Sequence, residues 1–188
     1  MVTAVAGARA SSGAAWAVAA AVPDPELPML TLADLGVLAE VTEDGGTVTA
    51  WLTPTYSGCP AVAEMAADVD RRLRAAGYAD VRVRLRLDPP WSTDLITPDG
   101  RRKLAEAGIA PPRPGGASGA AGGSGGGSTP LSLGPTRFAN AGGPTALVTC
   151  PLCGGTDTEE LSRFGSTACK ALWRCRDCRE PFERVKEI

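Results

Sequence analysis

The 188-residue chain contains no histidine. That removes the commonest general base near neutral pH and the commonest nitrogen ligand for metals, leaving cysteine, aspartate and glutamate as the strong ligands. Excess charge is missing too: 19 basic residues against 21 acidic ones give a net charge of −2. A surface that tracks phosphates or anionic lipid needs more positive charge than this, so neither a nucleic-acid nor a membrane-surface partner is expected. No apolar run is long enough to cross a bilayer. Arg9 and the stretch Ala14 to Val22 resemble the start of a signal peptide, but the stretch reads better as an Ala-rich helix stopped by Val22-Pro23. There is no internal repeat and no glycine-rich nucleotide loop.

What the chain does have is six cysteines, four of them in two Cys-x-x-Cys pairs, Cys150-Pro-Leu-Cys153 and Cys175-Arg-Asp-Cys178. Each pair makes a tight turn that aims two sulfurs at one point, and two such turns give the four-thiolate cage of a zinc ribbon. The segment from Thr149 to Ile188 is too short to bury a core of its own, so metal binding would supply folding energy. A closed four-thiolate site favours structural zinc; an iron-bound form and a thiol redox pair are the alternatives. Between Cys150 and Ile188 seven basic residues balance seven acidic ones, which argues against a phosphate-binding ribbon. Paired Cys-x-x-Cys motifs of this kind belong in a reducing compartment, so a cytoplasmic location is expected.

Composition divides the chain into residues 1–13, a first domain over 14–112, a linker over 113–148 and the ribbon over 149–188. In the first domain the Ala-rich helix is followed by the carboxylate-bearing turn Asp24-Pro-Glu26-Leu-Pro28. Val37 to Glu43 and Thr47 to Leu52 read as a hairpin around Asp44-Gly45-Gly46. Val62, Met65, Ala66, Val69, Leu73 and Ala76 have helical spacing, and Gly77 ends that helix. From Asp80 to Leu87 the residues alternate, predicting a half-buried strand with Val81, Val83, Leu85 and Leu87 inward and Arg82, Arg84 and Arg86 in solvent. A last helix is expected from Pro98 to Ala107. The linker has eight glycines between Gly115 and Gly127, which predicts a tether on which the ribbon can dock or swing away.

Cys59 stands between the second hairpin strand and the following helix, in Thr53-Pro-Thr55-Tyr-Ser57-Gly-Cys59-Pro60. Helix-start N–H groups stabilise a thiolate there, and Thr55, Ser57 and Gly58 let backbone and hydroxyls approach a bound species. An inert turn cysteine is the competing reading. Cys169 is a further thiol near the ribbon's pairs: a spare ligand, a second iron contact, or a small residue packed beside the metal. Phe164, Trp173 and Phe182 are expected to form the ribbon's small core, and Trp91 to pack on the Cys59 loop or face a partner.

These motifs carry a resemblance. Asp24-Pro-Glu-Leu-Pro28, Asp34-Leu-Gly36, Pro54 to Pro60, Pro90-Trp-Ser-Thr-Asp94 and Gly108 to Pro112 are similar to the metal-sulfur cluster biosynthesis domain of SufT and of cytosolic iron–sulfur targeting proteins. With Cys150-x-x-Cys153, Phe164-Gly-Ser-Thr-Ala-Cys-Lys170 and Cys175-x-x-Cys178-Arg-Glu-Pro-Phe182, the whole resembles the PaaD family, encoded with the phenylacetyl-CoA epoxidase system. The glycine-rich linker is longer than the family usually carries. The resemblance implies an α+β chain: an iron–sulfur-assembly-type α/β domain joined to a small β domain holding zinc on Cys150, Cys153, Cys175 and Cys178. It implies a non-catalytic maturation protein of aerobic phenylacetate breakdown, with the di-iron oxygenase and its ferredoxin-type reductase as partners. Cys59, Asp24, Glu26, Thr55 and Ser57 would then handle iron or a cluster in transit. A docking subunit without metal function is the main alternative. A thiol-disulfide oxidoreductase fits less well, because both pairs are used in one ribbon. A homodimer is left open.

Overall fold

The computed structural model describes residues 13–56, 58–113, 115 and 148–187. Most of the expected linker, the first twelve residues and Ser57 lie outside them. In the first domain, helix α1 (Ala14–Ala20) buries Ala15 and Ala19. The short helix α2 (Leu32–Leu35) has a capping box between Thr31 and Asp34. Strands β1 (Leu38–Asp44) and β2 (Thr47–Leu52) form the expected antiparallel hairpin. Helix α3 (Ala61–Ala75) then crosses over to β3 (Asp80–Leu85), which pairs parallel to β2. A parallel pair needs such a crossover, and the helix covers one face of the three-stranded sheet. Leu30, Leu32, Val37, Val48, Leu52, Val69, Leu73 and Leu104 are fully buried between these elements. A 3-10 turn (Thr93–Leu95) and helix α4 (Pro98–Glu106) close the domain. Trp91 packs inward, its indole N–H donating to the Leu35 carbonyl at 2.9 Å.

The motif Asp34-Leu-Gly36 is explained by this packing. Gly36 has φ 69°, and a Cβ there would sit 2.6 Å from the Leu95 carbonyl oxygen. Gly36→Ala combines a left-handed backbone with a clash, and should lower stability by about 3 kcal/mol in denaturant titration. Asp34 accepts from the Thr31 N–H at 2.9 Å and from the Lys103 ammonium at 2.8 Å. Burial alone would raise its pKa, but Lys103 and Thr31 outweigh it and hold the carboxyl below its usual range. A depressed folded-state pKa contributes stability that is present above the unfolded value of about 3.9 and lost as pH falls through the folded one. Urea midpoints of the protein and of Asp34→Asn should therefore differ at pH 6 and converge toward pH 3.

The expectation for β3 needs correction. Val81 is buried, but Leu85 and Leu87 are 50% and 65% exposed. Opposite them the helix offers only Val62, Ala63 and Ala66, side chains too small to close the space, and a groove of about 500 Å³ remains. On the other side of the sheet Arg84 and Arg86 lie over the Trp51 ring.

The second sheet runs β4-β7-β6-β5, with β4 (Ile109–Ala110), β5 (Thr158–Ser162), β6 (Lys170–Cys175) and β7 (Pro181–Val185). Strand β4 lies within residues 14–112, yet it pairs parallel with β7 of the ribbon. The two hydrophobic cores exchange residues as well: Val185 of β7 is buried in the first domain's core, and Ala110 of β4 in the ribbon's. The ribbon is docked through shared hydrogen bonds and apolar contact, rather than held at a distance. Trp173 and Phe182 form part of its core as expected, whereas Phe164 is 77% exposed, under the Lys186 ammonium.

Candidate metal centre and thiol site

The ribbon's two cysteine turns are built alike. In the first, Cys150 N–H donates to the Gly155 carbonyl at 2.8 Å; in the second, Cys175 N–H donates to the Glu180 carbonyl at 3.1 Å. The residue after each second cysteine takes a left-handed backbone, Gly154 at φ 78° and Arg179 at φ 66°. That geometry frees an N–H for sulfur: Gly155 N–H points at Cys153 Sγ, and Glu180 N–H at Cys178 Sγ. Glycine is the natural residue at such a position; arginine bears the backbone cost because the turn requires it.

These turns bring the sulfurs of Cys150, Cys153, Cys175 and Cys178 within 4.8 Å of one another. Cys150 lies 3.8 Å from Cys178, and Cys153 lies 3.6 Å from Cys175. A tetrahedral ion with metal–sulfur bonds of about 2.3 Å needs sulfur–sulfur edges of about 3.8 Å. The donor set therefore fits a four-thiolate metal. Such sulfurs cannot all ionise side by side without a cation, and the Cys178 thiol is pushed up to about 12: the Glu180 N–H favours its thiolate, but burial and the three neighbouring thiols together prevail. A metal ion would replace those protons. Cys169 is outside the cluster.

The second group of expected site residues lies in the first domain. Asp24 is buried and closes its own turn, accepting from Glu26 N–H at 2.9 Å and Leu27 N–H at 2.7 Å. Desolvation raises its pKa, against those two donors and the nearby Lys170 ammonium. Cys59 is half-buried just before the start of α3, its carbonyl accepting from Val62 N–H at 3.3 Å. Its side chain lines the groove left beside Leu85 and Leu87. The Cys59 N–H donates to the Tyr56 carbonyl at 3.2 Å; the pKa of the Tyr56 phenol is raised by burial first, then by the charges of Cys59, Glu26 and Cys169. Asp24 serves mainly to hold its own turn, to which Glu26 contributes a backbone N–H, and Thr55 is half-buried in the Cys59 loop. Tyr56 and Lys170 are not among the expected site residues. The signal that could have found Tyr56 is its position three residues before Cys59 in the same loop.

Among the described residues no helix is long and apolar enough to cross a membrane. Residues 14–87 match the family model described as iron-sulfur cluster assembly protein, and residues 135–186 match the PaaD zinc beta ribbon domain. A protein of Escherichia coli (strain K12), whose name marks it as a candidate component of 1,2-phenylacetyl-CoA epoxidase, is 42% identical over 92% of this chain and 91% of its own length. Among solved structures, a domain of unknown function, DUF59, from Bacillus anthracis is 28% identical and covers 48% of this chain and 87% of its own, with a TM-score of 0.45. A conserved hypothetical protein of Thermotoga maritima gives 27% identity, the same 48% of this chain, 89% of its own, and a TM-score of 0.41. An iron–sulfur-assembly domain and a four-cysteine ribbon on one chain, together with near full-length identity to the Escherichia coli protein, make this protein a member of the PaaD family.

Proposed function

We propose that this chain is a non-catalytic maturation component of a phenylacetyl-CoA epoxidase system, with structural zinc in the ribbon and iron, or an iron–sulfur unit, as cargo handled at Cys59. The relative's name supports the system, and the assembly-domain match supports the metal role. The observation that carries the reading is the setting of Cys59: a half-buried thiol just before α3 that lines an apolar groove. A sulfur there can take a thiophilic ion and still be reached by a client protein. Zinc at Cys150, Cys153, Cys175 and Cys178 would fix the fold of the ribbon, since four thiolates leave no open coordination position. Both Cys-x-x-Cys pairs are committed to that cluster, which disfavours thiol-disulfide exchange. The client is the di-iron oxygenase or its ferredoxin-type reductase.

The test is iron analysis of each client produced with and without this protein. Iron depletion in one client when the chain is absent supports maturation and identifies the recipient. A docking component is the second reading, favoured by the exposed Leu85 and Leu87 along the groove; it requires co-purification with undiminished client iron.

A further inference from the structure

We propose that the open edge of β3 takes up an extended acidic segment of a partner protein as an added strand, with alternate apolar side chains seated in the groove that Cys59 lines. The inference deepens the proposed function and rests on it only for the identity of the partner as the client.

The edge follows from the ladder. Strand β3 is outermost in its three-stranded sheet, with β2 on one side. The Arg86 N–H donates to the Leu52 carbonyl at 2.8 Å, and an extended strand turns alternate backbone groups to opposite sides. Arg82, Arg84 and Arg86 therefore bond toward β2, while Val81, Val83 and Leu85 turn their backbone groups outward. Arg74 of α3 takes the Ala79 carbonyl at 2.8 Å and the Val81 carbonyl at 3.3 Å. Among the described residues nothing pairs with the N–H and C=O groups of Val83 and Leu85 on the outer side. An unpaired row of this kind is a template for another strand.

The side chains state which strand fits. On one face Val83, Leu85 and Leu87 line the groove, and an added strand sets every second residue on that same face, so apolar residues there would cover Leu85 and Leu87. On the other face stand the three arginines. Arg82 pairs with Asp80 and Arg86 with Glu40, whereas Arg84, among the described residues, meets no carboxylate and lies over the Trp51 ring. The remaining carboxylate of that face, Asp44, is on β1, two strands from the edge. Acidic residues at the alternate positions of the added strand would complete the row. A second copy of β3 is disfavoured, because it would set arginine against arginine. Residues 1–12 and 116–147 carry Arg9 and Arg137 but no aspartate or glutamate, so they lack the charge that Arg84 calls for. An acidic strand from a partner meets both requirements, and it lays that partner along the groove beside Cys59.

Hydrogen exchange of the zinc-loaded full chain tests this, with a short capped peptide alternating glutamate and valine as the probe. In the dilute free chain the Val83 and Leu85 amides should exchange rapidly, and the peptide should slow both by about tenfold or more. A peptide with lysine in place of glutamate should bind about tenfold more weakly, and Arg84→Glu should reverse that preference. Methylating the backbone nitrogens of one alternate set, the valines in an antiparallel strand or the glutamates in a parallel one, should abolish binding, since an added strand is held by main-chain hydrogen bonds. Equal binding of the glutamate and lysine peptides, or of both methylated peptides alongside the parent, refutes strand addition. Slow Val83 and Leu85 amides in the dilute free chain would mean that one of its own segments covers the edge, and slowing with protein concentration that a second copy does. Either result overturns the proposal. Should Arg84→Glu fold poorly, the peptide comparisons on the unaltered protein decide. No peptide binding, with client iron still dependent on this protein, refutes the acidic strand and leaves the maturation reading. Binding as expected, with client iron normal when this protein is absent, sinks that reading and leaves the edge.

Discussion

Cys175→Ser is expected to release the ribbon's metal and unfold residues 148–187. Cys175 is fully buried at the centre of the four-sulfur cluster. Its loss leaves three thiolates and an alcohol that zinc binds poorly, and structural zinc supplies on the order of 10–16 kcal/mol of apparent binding energy to small domains of this kind. The ribbon's own core is a handful of side chains around Trp173 and Phe182, too few to stay folded alone. Metal analysis should fall from about one zinc per chain to near none, and the near-ultraviolet signal of Trp173 should collapse. The shared sheet adds a consequence that a free tether would not. Unfolding the ribbon withdraws Val185 from the first domain's core and unpairs β4, so the first domain should remain folded but lose about 1.5–3 kcal/mol, the worth of one buried aliphatic side chain. Stoichiometric zinc in the variant would overturn the ligand set.

Most of the local architecture is legible in the sequence because each element carries its own signal. The hairpin turn, the helical spacing from Val62 to Leu73 and the two Cys-x-x-Cys turns are all short-range patterns, and all appear in the structure. Relations between distant segments are not legible in the same way. Alternation along β3 correctly marks Val81 but cannot reveal that Ala63 and Ala66 are too small to cover Leu85 and Leu87. Composition of residues 113–148 allows the ribbon to dock or to swing away; two residues, Ile109 and Ala110, dock it by joining its sheet. A two-residue strand has no periodicity to detect. Phe164 reads as core on hydrophobicity alone, yet it lies on a loop beyond the edge strand, where it stays exposed. Cys169 illustrates the same limit: its separation from Cys175 leaves open a spare zinc ligand, a second iron contact or a small packed residue, and the four-sulfur cluster of the structure does not include it.

Cys59→Ala should leave the protein folded and zinc-loaded while depleting iron in a client. The side chain is half-buried and packed against the first domain's core, so the stability cost should be about 1–2 kcal/mol at most. If the thiol holds cargo, its removal abolishes transfer outright, and iron in the recipient oxygenase or reductase should drop to the level found when this protein is absent. Activity of that client should fall in proportion. The groove offers an internal control, because Leu87 is 65% exposed on its wall and its side chain offers no metal ligand. Leu87→Asp places a charge where a client's apolar surface would rest, and should weaken co-purification; because Cys59 lines the same groove, its alkylation rate is measured alongside. Under the maturation reading both variants depress client iron, but only Leu87→Asp weakens association. Under the docking reading Leu87→Asp alone has an effect, on complex formation, and Cys59→Ala yields a fully iron-loaded client; that result would reduce Cys59 to a packing residue.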